Sequence, residues 1–367
     1  MKTKKKLNIW EGDFIYVILA IVIGFLVGAI LLTAAGIDPG DAYSKLAEGT
    51  LGSTKYIVYS IVYAAPYIFT GLSVAFSFKT GVFNIGAEGQ FVVGSLAAVL
   101  VGIFADLPPV LHAIVAFLAA ALAGAIWGAV VGVMKIKRGI NEVISYIMFN
   151  WIAYYLSNFV VMSKGVKDST VEASKTVKDS ARILMGENMI VTTGCPVVNW
   201  GFVLAVIAAI LLWFIIKKTT FGYQLRAVGL SRTASEYGGI SSSKIFLTSM
   251  AISGMLAGMG GAVQVLGMSG KVSQFAAQES FGFDGITVAL IAGSNPIGCI
   301  LSGIFYGIMK YGGNKLTLVD APKEIVNIIM GTIIFFIAIA LLFKRMVRDI
   351  RQKRENKIAE AAEAKEN

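Results

Sequence analysis

The sequence predicts an all-α polytopic membrane protein of about ten transmembrane helices, arranged as two inverted repeats with short broken helices. Composition is the first observation: mean hydropathy is +0.74, and 15% of residues are charged, against about 25% in an average soluble domain. Charge placement is the second. The net charge of +10 gathers at the ends of apolar stretches, in residues 2–6, 135–138, 217–218 and 344–354, where the positive-inside rule sets basic residues on the cytoplasmic face. This distribution fits contact with a lipid bilayer and excludes nucleic acid as the reason for the basic balance. The third observation is that two short blocks recur, described below.

Apolar windows place spans near 14–35, 56–78, 88–105, 110–134, 141–162, 198–216, 244–266, 283–293, 296–312 and 324–343. The first is too long for a signal-peptide core and lacks a clean small-residue cleavage site, so it is read as a retained helix. The two spans around 294–296 are too short to cross comfortably, and such segments are tolerated at membrane depth only where protein or a cavity covers them. The basic ends orient the chain with residues 1–13 in the cytoplasm, 135–138 inside, 163–197 outside, 217–243 inside, 267–282 outside and 344–367 as a cytoplasmic tail. The transmembrane domain is therefore 14–343, in a plasma membrane. The outer stretch has five basic and four acidic residues between 163 and 199 and no apolar period, as an exposed loop would. His112, beside Pro108 and Pro109 at a span end, is read as interfacial. Cys195 and Cys299 lie too far apart in character and position to suggest a disulfide or a metal site.

GAVVGVMK (128–135) recurs as GIFYGIMK (303–310), and NEVISYIM (141–148) as KEIVNIIM (323–330), with Glu142 matching Glu324. Chance similarity between apolar helices is one explanation. An internal duplication is the other, and because Lys135 is assigned inside and Lys310 outside, the two copies would be inverted. Small residues at four-residue spacing, Gly124/Gly128/Gly132, Gly254/Gly258 and Gly303/Gly307, predict close helix packing.

Two polar segments interrupt the apolar pattern. FNIGAEGQ (83–90) sets Asn84, Glu88 and Gln90 among glycines, and SFGFDG (280–285) sets Asp284 beside Phe283. A carboxylate at membrane depth costs a few kcal/mol unless it meets water or a partner. One reading is a broken segment on a translocation path; the other is a polar turn opening the next helix. Asn150, Trp151, Tyr154, Tyr155, Gln264 and Phe283 offer hydrogen bonding and stacking along the same path without deep cationic charge. The basic stretch 217–243 carries cap and stop chemistry. Ser231 or Thr233 can open a helix of about six residues, Thr233 and Glu236 have capping-box spacing, and Gly238 and Gly239 would end it. A helix that short needs a partner.

TTFGYQLRAVGLSRTASEYGGI (219–240) resembles the coupling segment of ATP-binding-cassette importer permeases of the branched-chain amino acid, ribose and nucleoside group. FNIGAEGQ is similar to the signature of the nucleoside branch, and YAAPYIFTGLSVAFSFKTGVFNIGAEGQ (63–90) resembles the longer of its two permeases; relatives often place further alanine at 235–237. The resemblance spans residues 14–343. It implies ATPase contact through Thr219, Phe221, Gly222, Arg226, Gly229, Ser231, Ala234, Glu236 and Gly239. It also implies a second homologous permease, a cytosolic ATPase that uses ATP and magnesium, and an extracytoplasmic lipoprotein or periplasmic protein that delivers a nucleoside. This chain would bind no cofactor and catalyse nothing: no G-x-x-x-x-G-K-[ST] loop occurs in it. Permeases for ribose-type sugars or branched-chain amino acids are the near alternatives. An ion-driven carrier is the more distant alternative: it would carry deep ionisable relays, and apart from Glu88, Asp284, Glu142 and Glu324, all near span ends, the sequence has almost none. A membrane enzyme would need a His, Cys or Asp cluster that one His and two distant Cys do not supply.

Overall fold

Each apolar window contains a helix. The computed structural model describes residues 13–322 and 324–339; the basic segments 2–6 and 344–354 and both assigned cytoplasmic ends lie outside the described residues. In chain order the helices are α1 (Asp13–Ala34), α2 (Pro39–Leu51), α3 (Thr54–Phe78), α4 (Ala87–Phe104), α5 (Leu111–Arg138), α6 (Glu142–Val161), α7 (Glu187–Thr193) and α8 (Gly201–Lys218). They continue with α9 (Thr220–Leu230), α10 (Arg232–Tyr237), α11 (Ser242–Ala262), α12 (Phe281–Ile291) and α13 (Pro296–Gly313), and end with α14 (Glu324–Ile339). Among the described residues, seven are long and apolar enough to cross a membrane: α1, α3, α4, α5, α6, α8 and α11 with its π-helical extension Val263–Ser269. The chain is thus a multi-pass membrane protein.

The chain divides into two units, one of residues 1–40 with 321–367 and one of residues 41–320. In the first, Gly24 of α1 lies against Ile333 of α14, which leaves no room for a side chain at that position. In the second, α3 is buried on every face from residue 64 to 77. Around it the glycine stripes do what their spacing predicts. A Cβ at Gly124 of α5 would meet the carbonyl of Gly254 on α11, and one at Gly254 would meet that of Gly124, so the two backbones touch. Gly303 and Gly307 of α13 press on Ile68 and Ala64 of α3 in the same way. Lipid offers no hydrophobic drive for helices to associate, so this dispersion contact between bare backbones carries the packing.

The break between α12 and α13 is written in local chemistry. Gly293 and Ser294 both take positive φ, 58° and 54°, closing α12 with a bond from Ser294 N to Ala289 O at 2.8 Å. Asn295 then caps α13, its Oδ1 accepting from Ile297 N at 3.1 Å, and Pro296 takes the first helical position, where a missing N–H costs nothing.

Several expectations change. The stretch 217–243 is not a loop holding one short helix: α8 runs to Lys218 and α9 fills 220–230. Basic flanks hide the apolar period of Gly222, Leu225 and Val228, the residues α9 buries. The outer stretch 163–197 is not an exposed loop either. It buries Val166, Ala173, Val177, Ala181, Ile183 and Cys195, and makes isolated β-bridges from Ala173 to Ser273 and from Leu184 to Asn199. His112 is fully buried, its ring nitrogens 2.8 Å from Ser180 Oγ and 3.0 Å from Val101 O, tying the 163–197 segment to the end of α4. Finally, α2 escaped the apolar windows because it is amphipathic; it buries only Ala42, Leu46, Gly49 and Thr50.

Candidate functional site

The turn after α3 rests on Gly81 at φ 74° and folds back so that Asn84 is wholly buried. Asn84 Nδ2 donates to Ser253 Oγ at 2.7 Å, Gln90 Oε1 at 2.8 Å and Ser73 Oγ at 3.1 Å. Gln90 Nε2 returns a bond to Asn84 Oδ1 at 3.2 Å. Asn150 on α6 plays the part of a missing strand: its Oδ1 accepts from Gly89 N at 2.9 Å and its Nδ2 donates to Ile85 O at 3.1 Å. Asn150 thus satisfies backbone groups of the broken segment where lipid could not, while Asn84 and Gln90 satisfy each other and the serines around them.

Glu88, 1% exposed, sits one residue into α4 and reaches another helix altogether. Its Oε1 accepts from Ser280 N at 2.8 Å and its Oε2 from Gly282 N at 2.7 Å. Both donors belong to the first turn of α12, whose orphan N–H groups and positive dipole end favour a carboxylate. Gly282 must be glycine, since a Cβ there would collide with the backbone of Ala87 and Glu88. The contact brings together the two polar segments, FNIGAEGQ and SFGFDG, that interrupt the apolar pattern of the sequence. One turn further along α12, Asp284 Oδ2 lies 3.0 Å from Lys310 Nζ of α13, and that ammonium sits 5.6 Å above the Tyr306 ring. Lys135 pairs with Glu142.

The remaining path residues divide. Tyr154 donates to Phe275 O at 2.8 Å. Asn158, which sequence reading passes over, brackets the same residue, donating to Phe275 O at 3.0 Å and accepting from Phe275 N at 2.8 Å. Set between Ser157 and Phe159 with no motif around it, it carries no sequence signal of its own. Gln264 lies in the π-helical turn, its Oε1 buried without a hydrogen-bond partner, and Phe283 is partly exposed on α12. Trp151 and Tyr155 do not join the polar network. They lie on the outward face of α6, 45% and 65% exposed, and with Met148, Ile152, Leu156 and Phe159 line an open apolar groove of about 520 Å³.

The 219–239 segment forms an elbow. Thr219 closes α8 by donating to Ile215 O at 2.6 Å and opens α9 by accepting from Gly222 N at 3.0 Å. Arg226 donates to Ile216 O, Gly222 packs on the end of α8, and Phe221 is partly buried. Gly229 abuts the carbonyl of Lys79, linking the elbow to the turn that leads to Asn84. Ser231, not Thr233, caps α10, accepting from Ala234 N at 3.3 Å. Glu236 consequently pairs with Arg232 at 3.5 Å and not with a capping threonine. Gly239 ends the turn at φ 79°. Ser235 alone in α10 is buried, while Leu230 and Tyr237 are 89% and 92% exposed.

Known proteins share nearly all of this chain's span. A guanosine ABC transporter permease protein of Bacillus subtilis is 37% identical over 92% of this chain and 97% of its own. A nucleoside ABC transporter permease protein of Lactococcus lactis is 34% identical over 90% and 92%. A glucose ABC transporter permease protein of Haloferax volcanii is 29% identical over 89% and 88%. Residues 56–338 match the family described as branched-chain amino acid transport system / permease component, and the chain belongs to this family of ABC transporter permeases, a transport component and not an enzyme.

Proposed function

We propose that this chain is the transmembrane permease subunit of an ATP-driven importer that carries purine nucleosides across the plasma membrane, with both termini cytoplasmic. The observation that carries the ATP-driven reading is α10. A six-residue helix cannot sustain itself in water, and this one leaves Tyr237 bare at its end, with Leu230 bare at the end of α9 just before it. That is the shape of a surface completed by a soluble partner, here a cytosolic ATPase holding ATP and magnesium. Motion of that partner would reach the path through Gly229 and Lys79, then Asn84 and Glu88, to the start of α12. The apolar, aromatic face of α6 suits a second, homologous permease, with Trp151 and Tyr155 at the path between them. An extracytoplasmic binding protein would deliver the ligand.

The inverted-repeat reading is supported by reciprocal packing: α5, from the first half, crosses α11 of the second glycine on glycine, and α13, from the second, crosses α3 of the first through Gly303 and Gly307 on Ile68 and Ala64. The nucleoside reading is favoured by the greater identity to the guanosine and nucleoside permeases than to the glucose permease. A sugar substrate is the second reading, and the Haloferax volcanii relative is what supports it.

The test is uptake by the complete complex in proteoliposomes. Labelled guanosine, adenosine or inosine should accumulate only with ATP, and a protonophore should leave that uptake intact. Accumulation of glucose, ribose or leucine in place of every nucleoside would overturn the substrate, and accumulation without ATP would overturn the ATP-driven importer.

A further inference from the structure

The end of α11 away from the elbow is held in an unusual register. Residues Val263–Ser269 are π-helical, and Gly270 N donates to Val265 O at 2.8 Å, five residues back. In an α-helix the same N–H would reach four residues back, to Leu266 O. That carbonyl is already taken twice: Arg182 Nε donates to it at 3.1 Å and Ile183 N at 3.1 Å. A carbonyl oxygen has two lone pairs, so the α register finds no acceptor left at this point. The next two carbonyls are held by the same segment. Asn199 Nδ2 donates to Gly267 O at 3.2 Å, and Arg182 Nη2 to Met268 O at 3.4 Å. Asn199 is 2% exposed and is itself fixed, its Oδ1 accepting from Gly201 N at 2.8 Å.

Left alone, the turn has reason to leave this register. A π turn is rare and occurs mostly at functional sites, and Gln264 within this one leaves its Oε1 buried without a hydrogen-bond partner, an arrangement that costs stability. One register is therefore held by donors from another segment, and the other opens once those donors part, which makes the turn a two-state element. The helix that carries it touches the whole route from the elbow. α11 opens at Ser242, after α10; Ser249 meets Thr80, and Ser253 Oγ accepts from Asn84 Nδ2 at 2.7 Å. Further along, Gly258 and Gly261 lie against the α4 backbone at Gly94 and Phe91. The elbow and the Arg182–Asn199 grip thus engage opposite ends of one span of 28 residues, about 42 Å at the α-helical rise.

We propose that residues 263–269 are a register switch: Arg182 and Asn199 hold the end of α11 in the π form, and the ATP-driven cycle parts them from it. Gly270 N then takes Leu266 O, and the end of α11 turns by about 100° against the body of the helix, the angle of one residue. Arg182 and Asn199 are positioning residues, since they touch only backbone carbonyls of this turn and act through α11. The switch rests on the ATP-driven reading above.

The experiment uses the complete complex in proteoliposomes. Hydrogen exchange of peptides covering 263–270 is read without nucleotide and with ATP plus vanadate, and the two states are expected to differ by about tenfold, the effect of losing one charge-assisted hydrogen bond. Arg182→Ala should raise exchange there about tenfold without nucleotide, and Arg182→Lys, which keeps a donor, by less. Asn199→Cys with Gly267→Cys, made with Cys195 and Cys299 replaced by serine, locks the grip: a Cβ at Gly267 would lie 2.8 Å from Asn199 Cγ, within reach of a disulfide. Oxidation should lower ATP-driven uptake at least tenfold, and reduction should restore it. Equal exchange in both nucleotide states would overturn the switch, and so would uptake that survives oxidation when peptide mapping shows the bond formed. The exchange comparison on the wild type needs no substitution and decides the matter where a variant fails to fold. Equal exchange with ATP-dependent uptake intact leaves the importer reading standing, whereas uptake without ATP would overturn both.

Discussion

Removing the Glu88 carboxylate tests whether it holds the molecule together at the meeting of two helix starts. In Glu88→Ala, the N–H groups of Ser280 and Gly282 lose their acceptor in a place water reaches poorly. Each buried donor left without a partner costs about 1–3 kcal/mol, so the pair costs about 2–6 kcal/mol. The loss falls on the first turn of α12, and local opening there should rise at least about 30-fold, since each 1.4 kcal/mol is a factor of ten. Glu88→Gln keeps one carbonyl acceptor but turns an amide N–H toward the second donor, so it should fall between alanine and the wild type. Hydrogen exchange of peptides covering 279–284, measured in the reconstituted complex, reads this directly, and transport should decline in the same order. Exchange in Glu88→Ala at the wild-type rate would refute the account of Glu88 as the clamp on α12.

Gly124→Leu should prevent α5 and α11 from meeting, because backbone and not a yielding side chain occupies the space; the expected outcome is loss of folded protein by size exclusion, with Ile126→Leu on the exposed face of the same helix unaffected. Ala234→Pro removes the N–H that Ser231 caps, and together with Arg226→Glu it should abolish ATP-driven uptake while basal ATP hydrolysis and the helical content of the complex persist; uptake at the wild-type rate in both would remove 219–239 as the docking surface. Burial raises the Cys195 thiol above its ordinary range, so a hydrophilic maleimide at pH 7 should label it far more slowly in the folded protein than after denaturation, and rapid labelling would show that the outer segment is not packed as described.

The link through Gly229 gives the elbow a mechanical role. A side chain at this position would strike the carbonyl of Lys79, so α9 cannot move without displacing the turn that ends α3. From Lys79 the chain runs five residues to Asn84, which is bonded to α3, α4 and α11 at once. Thr80 adds a hydroxyl contact to Ser249 of α11. A displacement at the elbow would reach Asn84 through the Gly229–Lys79 backbone contact and five residues of chain, and hydrogen bonds lead from Asn84 to α3, α4 and α11.

The sequence by itself determined what depends on neighbours in the chain. Apolar windows located the helices, glycine spacing marked where backbones touch, and Gly293, Ser294, Asn295 and Pro296 encoded the stop and restart between α12 and α13. Ser231 and Gly239 bounded α10 for the same local reason. The family was legible because FNIGAEGQ and the 219–240 segment are contiguous motifs. The tertiary structure alone decided which polar residues are spent on the scaffold. Glu88 meets Ser280 and Gly282 across 192 and 194 positions, and Asn150 meets Gly89 across 61, distances over which residue type carries no directional information. It also turned Trp151 and Tyr155 outward: α6 buries Ser145, Asn150, Ala153 and Ser157 and leaves its large aromatics uncovered, the reverse of the face an amphipathic pattern would assign to the core.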